Sequence, residues 1–346
     1  MAHPVLKAFQ IQAEVCAKLG SQFTADLCLL FAENLTDRTE VGALCVGWQG
    51  DPGPSADSIP LRMCGGLHAL VLTGRSKELA KFYPPNTPIV PDWAIVETAL
   101  VEHEPFLLDW MKSPPQTNEV SRSGVIWPAL MLIARETSKP LNLLEVGASG
   151  GLNLRLDHFA YDLGGTKSGQ SDSAVQIEPD WRGQPAEKYT VSIAARRGCD
   201  LNPLDPTNAA DALRLRAYVW PDQAARHERL NGAIALAHSA PADVARMDAV
   251  AWLEKELEAA KVGLCRVIYS TIAWQYLSED ARTKGEAIIR EAAQAAMEET
   301  PLAWLRFEAD SETPGAGITL SLWPKDVHAP LGRGDFHGRW VDWRGM

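Results

Sequence analysis

Two kinds of chemistry are written into one stretch of the chain, Leu143-Leu144-Glu145-Val146-Gly147-Ala148-Ser149-Gly150-Gly151. An acid followed by a glycine loop can cradle a nucleotide-like ligand, because glycines let the backbone pass close to it. The last five residues are also a Gly-x-Ser-x-Gly string, which makes Ser149 a candidate nucleophile on a hydrolase elbow. A triad in the order Ser149, Asp310, His337 completes that second reading. Other polar groups stand where strands are expected to end. Gly198-Cys199-Asp200-Leu201-Asn202-Pro203 resembles the second strand end of a dinucleotide-type fold, where an acid grips ribose hydroxyls. Asp248 follows a short strand and precedes a helix, the edge of a cofactor pocket or an ordinary N-cap worth roughly 1 kcal/mol. Asn118, Glu119 and Arg122 head a helix whose polar end is expected beside that pocket, with capping and surface charge as the alternative. His337, His68 and Tyr276 are the candidate bases, each with a structural role as the alternative.

The elements that must position these groups follow from the apolar pattern. Asn142 to Val146 is apolar apart from one carboxylate and suits a strand buried on both faces. Leu152, Leu156, Phe159 and Leu163 recur at helical spacing, so a helix is expected after the glycine turn, offering free N–H groups to a ligand. Glu145 sits where the strand meets the turn, and burying a carboxylate there is costly unless something hydrogen-bonds it. Residues 1–115 read as an α-helical domain, either a packed bundle or a lid that shapes the substrate pocket. Loops at Gly50 to Pro60 and from Tyr83-Pro84-Pro85 to Pro91 interrupt it, and Pro105 kinks or splits its last helix. Pro114-Pro115 marks a boundary, after which residues 116–346 alternate strands and helices as an α/β domain. An insertion at about 164–195 is expected, containing a hairpin of Ala174 to Glu178 with Tyr189 to Ala194. It separates the glycine loop from Asp200, where such folds leave about 20 residues. Strands at Val262 to Ser270, Leu302 to Phe307, Ile318 to Trp323 and Gly338 to Trp343 finish in an antiparallel pair.

Composition narrows the function class. A chain of 346 residues can bury a full core and form two compact units. Its net charge of −11 argues against an extended nucleic-acid footprint, which rests on clustered Lys and Arg. No run approaches the roughly 20 apolar residues of a membrane span, and no basic-then-apolar leader opens the chain. The expected location is the cytoplasm. Six scattered cysteines form no Cys-x-x-Cys pair and have no histidine at ligand spacing, so they are read as reduced and mostly buried, with no metal site. Twelve tryptophans suit either a cavity with aromatic walls or simple core packing. The oligomeric state is not encoded in any of these features.

Three observations weigh against the hydrolase. A nucleophile elbow normally follows several strands of its sheet, whereas the first 140 residues read as helical. Gly65-Gly66-Leu67-His68 has the wrong order for an oxyanion loop, and a hydrolase has no use for Glu145 beside its serine. The NAD pattern would place its third glycine on Leu152, and no Gly-Lys-Ser/Thr follows for a phosphate loop. A short glycine loop led by an acid is, in contrast, what S-adenosylmethionine (SAM) sites use. Five motifs then carry a resemblance over nearly the whole chain: Gln116-Thr117-Asn118-Glu119-Val120, Leu144-Glu145-Val146-Gly147-Ala148-Ser149, Trp220-Pro221-Asp222-Gln223, Ile272-Ala273-Trp274-Gln275-Tyr276 and His337-Gly338. They resemble a bacterial family of unknown function that is similar in turn to the class I SAM-dependent methyltransferases. That resemblance implies a Rossmann-like sheet of seven strands with the last strand antiparallel. It implies Glu145 at the head of the cofactor loop, Gly147, Ser149 and Gly151 lining it, Asp200 on the ribose and Asp248 near the adenine. Ser270, Trp274, Gln275 and Tyr276 would face the methyl group and the substrate. The expected function is SAM-dependent methyl transfer to an O or N atom of a small molecule. The Asn/Asp-Pro-Pro-aromatic signature of amide and nucleobase nitrogen methylation is absent, and Ser270-Thr271-Ile272-Ala273-Trp274-Gln275-Tyr276 stands in its place. A serine hydrolase and a non-catalytic methyltransferase-like module that binds a nucleotide or a partner are the alternatives.

Overall fold

The computed structural model describes residues 3–86 and 90–346, and the chain clusters into two compact units. The first, residues 1–117 with 208–227, is helical. Its longest helices are Pro4–Lys18, Gln22–Asn34 and Ile59–Leu72. Pro105 divides Trp93–Glu102 from Glu104–Met111 by occupying the first turn of the second helix, where its missing N–H has no cost. The expected break at 83–91 includes 87–89, which lie outside the described residues. Phe9 stacks on Phe31 with ring centroids 5.1 Å apart inside a core that includes Leu27, Met63 and Leu67. Asp222, from the Trp-Pro-Asp-Gln motif, ties the later segment of this unit to its N-terminal helices. Its carboxylate accepts hydrogen bonds from Ser21 Oγ at 2.6 Å and from Phe23 N at 3.0 Å, at the start of Gln22–Asn34. A negative charge there also meets the positive end of that helix.

The second unit, residues 118–207 and 228–346, is built on one large sheet. Its strands are β1 (Leu141–Val146), β2 (Ala160–Leu163), β3 (Thr166–Gly169), β4 (Gln176–Ile177), β5 (Asp180–Gly183), β6 (Ile193–Asp200) and β7 (Asp243–Arg246). Then follow β8 (Cys265–Thr271), β9 (Leu302–Glu308), β10 (Ala316–Trp323), β11 (Val327–Gly334) and β12 (Trp340–Trp343). The large sheet has the order β5-β12-β11-β10-β9-β8-β1-β6-β7, and β7, β6, β1, β8 and β9 are mutually parallel. Numbered along the chain those five strands lie 3-2-1-4-5, so the order reverses between β1 and β8. Ligands of open parallel sheets bind outside the carboxyl ends of the strands at such a reversal. β1 is buried at every residue, as a central strand covered on both faces must be. Leu144 and Val146 pack with Trp252, Leu253 and Ile289 of the helices Ala249–Leu257 and Glu279–Gln294. Leu143 and Glu145 face the other side, where the helix Ser123–Thr137 lies against the sheet.

Several expectations are corrected. The sheet has nine strands rather than seven. β11 was not expected; Val327 to Gly334 carries Pro330, a residue disfavoured inside a ladder. A register shift opposite Pro330 and Gly332 admits the proline, which has no N–H for a ladder. The helix expected after the glycine turn is instead a 3₁₀ segment, Leu152–His158, broken at Arg155 and followed at once by β2. The apolar spacing there is real, but Leu154 and Leu156 are buried around an inward-turned Arg155 rather than along a regular helical face. The hairpin expected within 164–195 does not form. β2 pairs with β3 and β4 in a separate three-stranded sheet, and β5 pairs with β12 at the far edge of the large one. All six cysteines are buried and none is disulfide-bonded.

Removing the Asp222 carboxylate deletes two hydrogen bonds to a charged group, each worth about 1.5–3 kcal/mol at most. Asp222→Ala is expected to lower the stability of the helical unit by about 2 kcal/mol, less than two full charged hydrogen bonds because the group is half-buried and water replaces them in part. Urea unfolding checks it, and an unchanged midpoint would show that Asp222 does not join the segments.

Candidate functional site

The carboxyl ends of the parallel strands gather four acids: Glu145 in β1, Asp200 closing β6, Asp248 two residues beyond β7, and Glu308 closing β9. Glu145 is 1% exposed. Its in-register neighbour on β8 is Tyr269, whose hydroxyl donates to Glu145 Oε2 at 3.2 Å and lies 3.5 Å from Asn153 O. Burial pushes the Glu145 carboxyl up to about 8. The Tyr269 hydrogen bond and the charges of Arg122 and Arg155 oppose that rise, and Asp200 adds to it. Glu145 therefore holds its proton through much of the neutral range. Burial likewise raises Glu308, against the hydroxyl of Ser270 and the N–H groups of Trp274 and Ala273. Glu308 accepts from Ala273 N and Trp274 N at 3.1 Å, bracing the turn after β8 in which Ile272 has φ +52°.

The glycine turn is tight on all sides. Gly147 has φ +73°, and a Cβ there would come within 2.5 Å of Ala273 Cβ; Gly151 has φ +64°, and its Cβ would meet Val244 at 2.7 Å. Asp200 clamps the turn, accepting Ser149 N at 3.0 Å on one carboxylate oxygen and Asn202 N at 2.8 Å on the other. Asn118 Oδ1 accepts Leu152 N at 2.8 Å. Arg155 is buried beneath, donating to Gly151 O at 2.7 Å and Ala240 O at 2.6 Å, and burial lowers it to about 10, so it stays charged. Ser149, at φ +53°, keeps its hydroxyl buried without a partner among the described residues, as does the Asn153 side-chain carbonyl. Buried polar atoms left this way in a cleft are what a polar ligand would satisfy.

Arg122 donates to Thr271 O at 2.9 Å and Phe336 O at 2.8 Å, joining the end of β8 to the His337-Gly338 turn. Gly338, at φ +71°, leaves only 2.4 Å between a would-be Cβ and Ser121 O, so no larger residue fits. The Asn118–Arg122 segment, the glycine turn, the turn after β8 and His337 thus come together, while Asp248 is exposed and caps Ala249–Leu257 through Val250 N at 2.9 Å. Ser270 is buried at the end of β8. Trp274 is core, edge-on to Trp304 at 5.8 Å and pressed against Gly285; Gln275 is half-buried and Tyr276 is 75% exposed. His68 belongs to the helical unit, where burial lowers it to about 3 and its Nδ1 lies 3.1 Å from Ala217 O. Asp310 is held by Arg333 at 2.8 and 2.9 Å rather than by His337.

Tyr269, Asn153, Arg155 and Glu308 were not singled out in the sequence. Glu308 repeats the signal of Glu145, an acid closing an apolar strand, and Tyr269 needed only the β1–β8 register. Asn153 and Arg155 lay hidden in an expected helix.

The family described as an uncharacterized protein conserved in bacteria, DUF2332, matches residues 6–343. The chain belongs to this family. No curated protein matches it. Four of the five motifs that carried the resemblance meet around Glu145, and the fifth, with Asp222, stands at the helix start in the other unit. Among the described residues no helix is long and apolar enough to cross a membrane, and no group of three or more His, Cys, Asp or Glu side chains could hold a metal ion.

A raised carboxyl is a pH-dependent liability to the fold. The folded chain keeps a proton that unfolded Glu145 releases above about 4.3, so this residue's contribution to stability falls as pH rises from there to about 8 and is flat beyond. Glu145→Gln, neutral at every pH, is expected to flatten the fall of melting temperature between pH 5 and 8. Parallel profiles for the two proteins would mean that Glu145 ionises freely.

Proposed function

We propose that the protein is a SAM-dependent methyltransferase acting on a small-molecule O or N acceptor. The observation that carries this reading is the set of acids around the glycine turn, with Glu145 at its head. Glu145 lies in β1, Asp200 closes β6 and Asp248 stands two residues beyond β7, three adjacent strands, where the resemblance implies the head of the cofactor loop, the ribose and the adenine of SAM. Asp200 and Asp248 offer acceptors to the polar groups of a nucleoside, and the buried Glu145 carboxyl can give up its proton to a ligand that carries positive charge. The usual phosphate device is also missing. No α-helix starts after the turn, the Leu152 N–H is taken by Asn118, and Arg122 and Arg155 donate to backbone carbonyls. Each Asp200 oxygen keeps a lone pair for a ribose hydroxyl, and the Ser149 hydroxyl and Asn153 carbonyl supply unpartnered polar atoms.

When bound, SAM supplies an activated methyl group. The chain's residues then have to orient donor and acceptor and, for a neutral acceptor, take up a proton. Glu308 fixes the turn carrying Ala273, and Ala273 packs against Gly147, so the acceptor side and the cofactor turn are braced together. His337 and Tyr276 remain the candidate bases on this unit. His68, buried in the other unit with its low pKa, is a poor one. The hydrolase is disfavoured because Asp310 is committed to Arg333 and Ser149 has no histidine partner.

SAM at 100 times its dissociation constant is expected to stabilise the protein by about 2.7 kcal/mol, a shift in melting temperature of roughly 5–10 °C. Glu145→Ala is expected to abolish that shift, and labelled SAM is expected to transfer methyl to members of a small-molecule acceptor panel. No shift at millimolar SAM, or covalent labelling of Ser149 by a fluorophosphonate, would overturn the proposal.

A further inference from the structure

A second concave surface lies in the sheet unit, on the face covered by Glu279–Gln294. Register places Trp304 of β9 beside Ser321 of β10, and Ser321 beside His328 of β11. The helix packs on β9, and the strands beyond it are more exposed on this face. Trp304 is 3% exposed, whereas Ser321 and Trp323 are half-buried and His328 is exposed. The result is a groove of about 370 Å³, within the roughly 300–1,000 Å³ of small-molecule sites.

Its chemistry is specific. The Arg306 guanidinium stacks over the Trp304 ring at 4.3 Å, and Arg290 of the covering helix forms part of the wall. Trp323 meets His328 edge to face at 5.5 Å, and His328 Nδ1 lies 2.9 Å from Ser321 Oγ. No acidic side chain lines the groove. Glu286 reaches Arg290 only at 3.8 Å, and Asp326 lies 3.3 Å from His328. Among the described residues no carboxylate is within ion-pair distance of Arg306, although the charges of Glu286 and Glu308 act on it from farther off; Glu308 is occupied by the N–H groups of Ala273 and Trp274. The indole N–H of Trp304 is buried without an acceptor among the described residues. Flat aromatic walls with two guanidinium groups favour a ring by stacking and an anion by charge-assisted hydrogen bonds.

We propose that this groove binds a flat aromatic ring bearing a phosphate or carboxylate, at a site separate from the glycine turn. The ring lies against Trp323 and the Arg306 plane, and the anion is held by Arg306 and Arg290. This assignment does not depend on the methyltransferase reading. Titration calorimetry of the full chain with adenosine 5′-monophosphate, benzoate, adenosine and inorganic phosphate tests it. The ring-bearing anions are expected to bind at least about ten-fold more tightly than adenosine or phosphate alone. Binding by the monophosphate only would mark a phosphate ligand, and binding by benzoate only a carboxylate; either supports the site. Arg290→Ala, at an exposed position, and Trp323→Ala, which removes a half-buried ring at the edge of the core, are each expected to weaken binding about ten-fold and to leave any thermal shift by SAM intact. Binding that survives both substitutions, binding displaced by SAM, or no binding by either ring-bearing anion would overturn the proposal.

Discussion

The structure around the site depends on one costly arrangement: a carboxyl group buried at the end of the central strand with a tyrosine hydroxyl as its direct hydrogen-bond partner. A charged carboxylate in that position would need strong compensation, and here the residue holds a proton instead. Much of the surrounding structure keeps the position closed. Asp200 and Asn118 take the N–H groups of the glycine turn, Arg155 takes its carbonyls, and Arg122 fastens the neighbouring strand end. A group kept neutral by burial is poised to ionise when a positive charge arrives. In the proposed function, that would couple the charge of bound SAM to release of the Glu145 proton.

The same physics explains what could be read from the sequence. An apolar strand ending in an acid and then glycines is a local signal, so Glu145 and the turn were legible. Asp200 was legible as an acid closing a strand, although more than twice the usual chain length intervenes. The cause of that gap was not legible: β2 and β4 pair across non-adjacent segments, and β5 leaves to join β12, which no local periodicity records. The 3₁₀ segment misled because leucines at helical spacing also suit a broken turn folded around a buried arginine. One of the two additional strands of the large sheet, β11, is hard to read for a similar reason, since Pro330 makes it look like a loop until a register shift accommodates it.

Trp274 illustrates how residue type and role diverge. Its position after β8 suggested a pocket wall, yet it fills the space left by Gly285 and packs on Trp304. The turn it belongs to is positioned by Glu308, an acid that sequence reasoning passed over. Tryptophans in this chain serve both purposes once proposed for them: Trp252 and Trp274 are core, whereas Trp323 lines an open groove.

The most direct measurement of this account is the ionisation of Glu145 itself. Carbon-13 NMR of glutamate carboxyls, with Glu145→Gln as the assignment control, should show one group titrating near 8 while exposed glutamates titrate near about 4.3. Adding SAM at pH 7 should move that group to its ionised signal. A Glu145 carboxyl that titrates with the exposed glutamates, or that stays protonated when SAM is bound, would contradict the account.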